Sequence, residues 1–221
     1  MIKRLFDIFF SCLGLLIAFP FLLLAALLIK FDSPGPVLFK QVRVGKDYRL
    51  FTIYKLRTMI NNIEHTKMQL AVPSDSRITP VGRFLRRTKI DELPQLINVL
   101  FGDMSFVGPR PEDPRYSALY NEEQKKIFDV RPGITSPASL YYRDEASLLG
   151  DQNWEEKYTK EIMPEKISID MKYFENNTFW NDCGIIYKTI ISVIHINTIV
   201  RKIAGFPNNI SKKVFVSRGN R

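Results

Sequence analysis

The organising stretch of this chain is residues 88–112, which reads TKIDELPQLINVLFGDMSFVGPRPE. Apolar side chains recur in it at helical spacing, at Leu93, Leu96, Ile97 and Leu100. Gly102 is a suitable C-terminal stop, so the predicted helix begins near Asp91 and Glu92. Pro94 is tolerated there because the N–H groups of a first helical turn have no helical partners.

Two interpretations of the adjacent carboxylates are open. In the first, Asp91 caps the helix by accepting from a first-turn N–H, and Glu92 complements the helix dipole. In the second, the helix terminus keeps Asp91 ionised, as a nucleophile or a metal ligand must be. The local cations favour the second interpretation; they are Arg83, Arg86, Arg87, Lys89 and Arg110. Carboxylates beside several arginines suggest a metal-assisted phosphoryl site, where charge on oxygen must be neutralised.

The same stretch resembles the core of the bacterial sugar transferases, the monotopic phosphoglycosyl transferases. The shared pattern is DELPQLxNVLxGDMSFVGPRP, a long and nearly uninterrupted match, and the resemblance covers roughly residues 3–202. It implies transfer of a phosphosugar from a nucleotide diphosphate sugar, with a UDP-sugar as the expected donor, to polyprenyl phosphate. UMP would be released, and the product would begin a surface glycan such as capsule, O-antigen or exopolysaccharide.

The family's mechanism, carried over to this chain, has two steps. Asp91 attacks the sugar-bearing phosphorus, and polyprenyl phosphate then attacks the resulting phosphosugar-aspartate. Mg²⁺ is the implied cofactor, with Asp91 and Glu92 as its ligands, because it binds through one or two carboxylates plus phosphate oxygens. The implied phosphate-binding residues are Arg86, Arg110, Lys55, Arg57 and Arg131.

Residues 8–29 form an almost wholly apolar run that is long enough to span a bilayer as a helix. A signal peptide is not expected, because the run is too long and no small-residue cleavage site follows it. One spanning helix is the default structure for such a run.

Two features favour re-entry of this segment instead. Basic residues flank it on both sides, at residues 3–4 and at Lys30, so neither end is an obvious translocated end. Pro20 removes a helical hydrogen bond in the middle and favours a bend. We predict a re-entrant helix–break–helix over residues 1–31, as in the family, with a spanning helix as the alternative. Phe19 departs from the family, where Ser often precedes the proline.

A β-hairpin is predicted after the membrane segment. Residues 37–45 and 51–59 read as short strands joined by a turn near 45–47. The pattern SPGPVxF…YKxRTM again resembles the family, which implies that Lys55 and Arg57 lie near the substrate diphosphate.

Helices and loops are expected over the rest of the chain. Residues 61–76 read as a helix followed by a loop. Phe84 and Leu85, at the centre of the basic run 83–87, are typical of an interfacial helix whose apolar residues insert into lipid. A nucleic-acid-binding patch would look similar.

The C-terminal half alternates in the same way. Residues 116–126 and 154–175 read as helices, and 130–140 as a Gly/Pro/Ser-rich loop that contains the family's RPGIT pattern. An apolar stripe over 185–200 predicts either a core-facing helix or a helix lying on the membrane surface. Residues 206–221 form a basic tail.

The expected fold class is α+β and mostly helical. It consists of the N-terminal re-entrant membrane helix and a small catalytic domain, residues 32–205, with interfacial amphipathic helices and the hairpin. The resemblance places this domain on the cytoplasmic face of the bacterial inner membrane, in contact with lipid.

Composition leaves other classes open. The chain has 221 residues, a formal net charge of +9 and two cysteines, so an anionic partner is expected and a disulfide framework is not. Nucleic-acid binding explains the charge alone, and no nucleic-acid partner is expected. A non-enzymatic basic membrane anchor explains the N-terminus but leaves the carboxylates and arginines unused. An ordinary glycosyl transferase would release UDP. The sugar, the glycan pathway and the oligomeric state do not follow from the sequence, and a homo-oligomer stays open.

Overall fold

A 31-residue helix, α1 (Ile2–Asp32), begins the chain and lies along the rest of the protein. The structure, a computed structural model, describes residues 1–60, 75–143, 145, 148 and 153–202, with side chains up to 193. The helix and following loop predicted over 61–76 fall almost wholly outside the described residues, and the tail 206–221 does so entirely.

One face of α1 packs on the domain over its whole length. Its buried residues are Asp7, Ser11, Ala18, Ala25 and Ile29. Steps of three, four and seven residues return to the same face of a helix, so these side chains form a single stripe. The structure records one helix with Pro20 inside it, so the helix–break–helix stays a prediction.

Both ends of α1 are fixed to the domain. Near its start, Arg4 donates to the carbonyl oxygens of Val99 and Leu100, at 2.6 and 2.7 Å. Beyond its end, Arg57 donates to the carbonyl oxygens of Ser33 and Pro34. The two ends of the helix are therefore held by one folded unit.

The opposite face of α1 is apolar and exposed. Leu16 is 74% exposed and Phe31 is 88% exposed, and large apolar side chains lie between them on the same face. The helix is long and apolar enough to cross a membrane. An apolar surface of this length is unfavourable in water, so it marks a membrane or an interaction site.

Two small sheets support the domain. Strands β1 (Leu38–Val44) and β2 (Leu50–Leu56) form the predicted antiparallel hairpin. A second, parallel pair joins β3 (Ser105–Val107) to β4 (Gly133–Thr135), which the sequence analysis does not predict.

Short helices complete the architecture. They are α2 (Pro80–Thr88), α3 (Gln95–Phe101), α4 (Pro114–Ser117), α5 (Pro137–Tyr141), α6 (Trp154–Lys157), α7 (Met163–Glu175) and α8 (Phe179–Lys202). A π-helical turn, Tyr158–Ile162, joins α6 to α7 without interruption, which confirms the predicted helix over 154–175. Helix α3 and its stop at Gly102 are also confirmed, but α3 begins at Gln95 and not near Asp91 and Glu92, which lie in a separate 3₁₀ turn, Ile90–Glu92.

The basic helix α2 differs from the prediction at Leu85. Phe84 is 56% exposed, as an interfacial residue would be, but Leu85 is 1% exposed and packs with Ala25, Ile29 and Leu56. Adjacent residues of a helix point about 100° apart, so only one of the pair can face outward when α2 packs on α1. The expectation that both insert into lipid is wrong.

The region 116–140 also differs from the prediction. The expected helix over 116–126 is divided into α4, which ends at Ser117, and a 3₁₀ helix, Gln124–Asp129, at whose start the Asn121 side chain accepts from the Gln124 N–H. The expected loop contains β4 and α5, which begins where Ser136 accepts from the Ser139 N–H.

Candidate active site

Asp91 lies in a single 3₁₀ turn, Ile90–Glu92, between α2 and α3. Lys89 has a left-handed φ of 60° and redirects the chain into this turn. The side chain of Asp91 is buried, and its Oδ1 has no hydrogen-bond partner. The interpretation of Asp91 as a helix cap is wrong, because Pro94 precedes α3 and no side chain caps that helix. Oδ1 of Asp91 is thus left without a protein partner.

Glu92 is held by two cations. Arg110 donates to its Oε1 at 2.7 Å, and Lys55 lies 3.3 Å from the same oxygen. Lys55 comes from β2 and Arg110 from the segment after β3, so three separate elements meet here. This pairing fixes the carboxylate immediately beside Asp91.

The two carboxyl groups differ in acidity. Burial, together with the charge of Glu92, raises the pKa of Asp91 to about 6. Burial also acts on Glu92, but Arg110 and Lys55 outweigh it and hold the pKa of Glu92 well below 4.5. At neutral pH both groups are ionised, and Asp91 is the more basic of the two.

Close packing of two backbone segments positions Arg110. A Cβ on Gly108 would lie 2.2 Å from the carbonyl oxygen of Arg131, and a Cβ on Gly133 would lie 2.1 Å from the Gly108 nitrogen. The Gly133 N–H donates to the Pro109 carbonyl at 2.9 Å. Glycine at both positions lets the chain bring Arg110 to Glu92.

Arg86 supplies a third cation to the site. Its Nε donates to Oγ1 of Thr58 at 2.8 Å. Burial lowers the pKa of Arg86, and the negative charge of Asp91 opposes that shift, so the guanidinium acts on the same site as the carboxylates.

A cavity of about 1190 Å³ opens over these residues. Lys55, Arg86, Asp91, Glu92 and Arg110 all line it. A volume of this size accommodates a ligand as large as a nucleotide sugar. The structure therefore brings together five of the seven residues that the sequence analysis assigns to the site.

The other two predicted residues have different surroundings. Arg57 borders the cavity, but it is buried and its guanidinium donates to the Ser33 and Pro34 carbonyls. Arg131 is exposed, donates to the Gly102 carbonyl and is not among the described residues that line the cavity. Their phosphate-binding roles stay predictions.

Replacing Arg57 by Met is expected to lower the free energy of unfolding by about 3 kcal/mol, since buried hydrogen bonds from a charged donor are lost. Thermal unfolding of wild type and variant in detergent measures this change in stability. Arg131→Met is the control and should change stability by less than about 0.5 kcal/mol. Unchanged stability with a raised KM for the donor would instead assign Arg57 to phosphate.

Several residues that line the cavity were not singled out from the sequence as site residues. They are Gln41, Arg43, Glu112, Tyr158, Lys166 and Asp170. Glu112 directly follows the Pro-Arg-Pro segment, and this position could have indicated from the sequence that it belongs to the site. The others come from segments that meet only in the fold.

The residues present fit a magnesium ion that arrives with a diphosphate. Among the described residues, no group of three or more His, Cys, Asp or Glu side chains is arranged to hold a metal. Asp91 nevertheless presents the unpartnered Oδ1 next to a second carboxylate. Mg²⁺ commonly takes one or two carboxylates and completes its shell with water and phosphate oxygens.

Asp170 is a buried carboxylate at another part of the cavity wall. It accepts from the Ala138 N–H at 2.9 Å and is 4% exposed. Burial, opposed by this hydrogen bond, raises its pKa from 3.8 to about 6. The folded protein therefore binds this proton more tightly than the unfolded chain, and Asp170 favours folding more as the pH falls through 6 toward 4.

Asp170→Asn is expected to remove that pH dependence. Relative to the variant, the wild type should gain about 1 kcal/mol of unfolding free energy between pH 7 and pH 5. Denaturant unfolding of both proteins at the two pH values measures the difference. If the difference in stability between wild type and variant does not change with pH, the raised pKa of Asp170 would be contradicted.

Comparison with known proteins identifies the family. The model of the bacterial sugar transferase family matches residues 1–196. The chain is 41% identical over 196 residues to a UDP-glucose:undecaprenyl-phosphate glucose-1-phosphate transferase of Caulobacter vibrioides, covering 87% of this chain and 69% of the relative. It is 42% identical over 198 residues to the exopolysaccharide production protein PSS of Rhizobium leguminosarum bv. phaseoli, covering 86% and 94%.

A third relative is longer. The chain is 39% identical over 196 residues to a UDP-N-acetylgalactosamine-undecaprenyl-phosphate N-acetylgalactosaminephosphotransferase of Aeromonas hydrophila. This match covers 87% of this chain but 44% of that protein. The carboxylates and cations of the site, and the order of the sequence motifs, thus agree with a family match over most of the chain. The chain belongs to the bacterial sugar transferase family.

Proposed function

We propose that this protein transfers a phosphosugar from a UDP-sugar to undecaprenyl phosphate or a similar polyprenyl phosphate, releasing UMP. The observation that carries the proposal is the buried, unpartnered Oδ1 of Asp91 in a cavity lined by Lys55, Arg86 and Arg110. The names of the relatives, which include glucose-1-phosphate and N-acetylgalactosamine-phosphate transferases, support the reaction class. The product would begin a surface polysaccharide.

In the first step, Asp91 attacks the phosphorus that carries the sugar. A bond forms between its carboxylate oxygen and phosphorus, the bond to the bridging oxygen breaks, and UMP leaves with the electron pair. Asp91 is suited to this role because a pKa of about 6 keeps it mostly ionised and basic at pH 7. Arg86 and Arg110 neutralise the charge on the phosphoryl oxygens.

In the second step, an oxygen of polyprenyl phosphate attacks the same phosphorus and releases the Asp91 carboxylate. Glu92, fixed by Arg110 and Lys55, keeps the neighbouring backbone and charge in place through both steps. Asp91 and Glu92 would hold Mg²⁺, which neutralises the diphosphate when it is bound. The product is polyprenyl-diphosphate-sugar.

The arrangement of α1 supports attachment to one face of the membrane. Its start and its end both contact the same domain, through Arg4 and Arg57, while its other face is apolar and exposed. A helix that crossed the bilayer would carry its ends to opposite sides. We therefore propose that α1 enters and leaves on the cytoplasmic face of the inner membrane, where the soluble donor meets the lipid acceptor.

Nucleotide release by protein in nanodiscs tests the reaction. Donors would be a panel of UDP-sugars, with polyprenyl phosphate and Mg²⁺ present. The expected result is UMP from one or a few donors, lost on chelation. Release of UDP would point to an ordinary glycosyl transferase, and no nucleotide from any donor would favour a non-enzymatic anchor.

The membrane arrangement has its own test. A tag placed before Met1 should resist a membrane-impermeant label applied to intact cells. Labelling from outside would contradict re-entry and support a spanning helix.

A further inference from the structure

The cavity extends beyond the carboxylates along the inner face of β1. Phe39 pairs with Lys55 in the hairpin register, so it shares a face with that lysine. Gln41 and Arg43 follow at alternate positions on the same face. Arg43 donates to Gln41 Oε1 at 2.7 Å and lies 3.2 Å from an Asp113 carboxylate oxygen. This row of side chains leads away from the phosphate-binding cations.

The opposite wall of this extension is polar and rigidly held. The Tyr158 hydroxyl donates to Glu112, and Tyr158 is 3% exposed. Lys166 pairs with Glu145 at 3.0 Å, and its ammonium lies 5.4 Å from the centre of the Tyr158 ring. Hydrogen-bonding groups are therefore fixed in position on two walls.

Charge divides the cavity into two halves. In the phosphate half, the cations outnumber the carboxylates: Lys55, Arg86, Lys89 and Arg110 face Asp91 and Glu92. In the balanced half, three cations and three carboxylates line the wall: Arg43, Arg143 and Lys166, and Glu112, Glu145 and Asp170. Lys166 forms an ion pair with Glu145, and Arg43 forms one with the neighbouring Asp113. Arg110 lies at the junction of the two halves, because it forms an ion pair with Glu92 and also interacts electrostatically with Glu145.

The two halves suit different parts of a nucleotide sugar. A diphosphate requires net positive charge, which the phosphate half provides. A neutral sugar ring presents hydroxyl groups that both donate and accept, and paired charged side chains meet both needs without attracting an anion. Polar groups in a low-dielectric site also reject a ligand that leaves them unpaired.

The order of events favours the sugar over the nucleoside for the balanced half. In the proposed two-step reaction, UMP leaves after the first step, whereas the sugar stays attached through phosphorus to Asp91. The retained group must be shielded from water until the lipid acceptor arrives, since water would hydrolyse the intermediate. The buried walls at Tyr158 and Asp170 provide that shielding.

We propose that the balanced half of the cavity binds the sugar ring of the donor, and that Gln41 and Lys166 determine which sugar is accepted. This inference rests on the proposed phosphosugar transfer. Neither residue contacts the reacting phosphorus in this assignment. Their contribution is to hydrogen-bond ring hydroxyls or the N-acetyl group, whose arrangement differs between one donor sugar and another.

The test compares Gln41→Met and Lys166→Met with wild type on a panel of epimeric UDP-sugars. We expect the ratio of kcat/KM between the best sugar and its epimer to change about tenfold or more. The inhibition constant of UMP should stay unchanged, because UMP lacks the sugar. Lys125→Met is the matched control: it removes the lysine of an exposed pair with Glu122 and should alter neither quantity.

Three results would overturn the proposal. A weakened UMP inhibition with unchanged sugar preference would place the nucleoside in the balanced half. An equal loss of kcat/KM for every sugar, with unchanged UMP inhibition, would show that both residues have only a structural role. Absence of UMP release by wild type from every donor would overturn the proposed function itself, and the sugar site with it.

Discussion

Asp91→Asn is expected to reduce UMP release at least about a thousandfold. The amide has the shape of the carboxylate but lacks the negative charge that makes a carboxylate oxygen nucleophilic enough for the proposed first step. Neighbouring groups do not replace it, because Glu92 is bound to Arg110 and Lys55. Turnover by protein in nanodiscs, with the preferred UDP-sugar and acceptor, measures the loss.

A trapping experiment separates the nucleophile from an electrostatic role. With a sugar-labelled donor and no lipid acceptor, wild type should retain label on the protein, whereas Asp91→Asn should retain none. Asp129→Asn removes an exposed carboxylate in the 3₁₀ helix Gln124–Asp129 and should behave as wild type. Residual activity above about a tenth of wild type would reject Asp91 as the nucleophile.

The folded state of this variant is expected to be intact. Burial disfavours the Asp91 charge, as its raised pKa indicates, so a neutral amide should maintain or raise the melting temperature. Catalytic groups often reduce stability in this way. If the variant is inactive and its melting temperature is lowered, unfolding would explain the lost turnover instead.

Local patterns account for what the sequence predicts well. Helix α3 follows from apolar residues at helical spacing and the stop at Gly102, and the β1–β2 hairpin from two apolar runs and a short turn. Each signal lies within about 20 residues of chain, where periodicity and turn chemistry act. The carboxylates of the site belong to the same local motif.

Non-local packing accounts for what the sequence analysis misses. The β3–β4 pair joins Ser105 to Gly133, and no periodicity within either three-residue strand indicates the other. Arg43, Tyr158 and Lys166 reach the cavity from a strand, a π-helical turn and a helix that are distant in sequence. Leu85 is buried because α2 packs on α1, a contact that its basic neighbours do not reveal.

The β3–β4 pair leads to the second large effect, on stability. Gly133→Ala is expected to lower the free energy of unfolding by about 3 kcal/mol or more. The added methyl would lie 2.1 Å from the Gly108 nitrogen and 2.6 Å from its Cα. These neighbours are backbone atoms, which cannot turn aside as a flexible side chain would. Thermal or denaturant unfolding in the same detergent compares variant and wild type.

Gly184→Ala provides the matched control, since a Cβ there meets nothing within 4 Å and the residue lies inside α8. It should be neutral or stabilise by up to about 1 kcal/mol, because alanine favours the helix. Equal stability of both variants would contradict close packing at Gly133. If the strain in Gly133→Ala is relieved by movement of Pro109, Arg110 moves with it and leaves Glu92. The folded fraction should then show reduced turnover, because the same backbone approach that stabilises the fold also positions Arg110, the arginine proposed to bind phosphate.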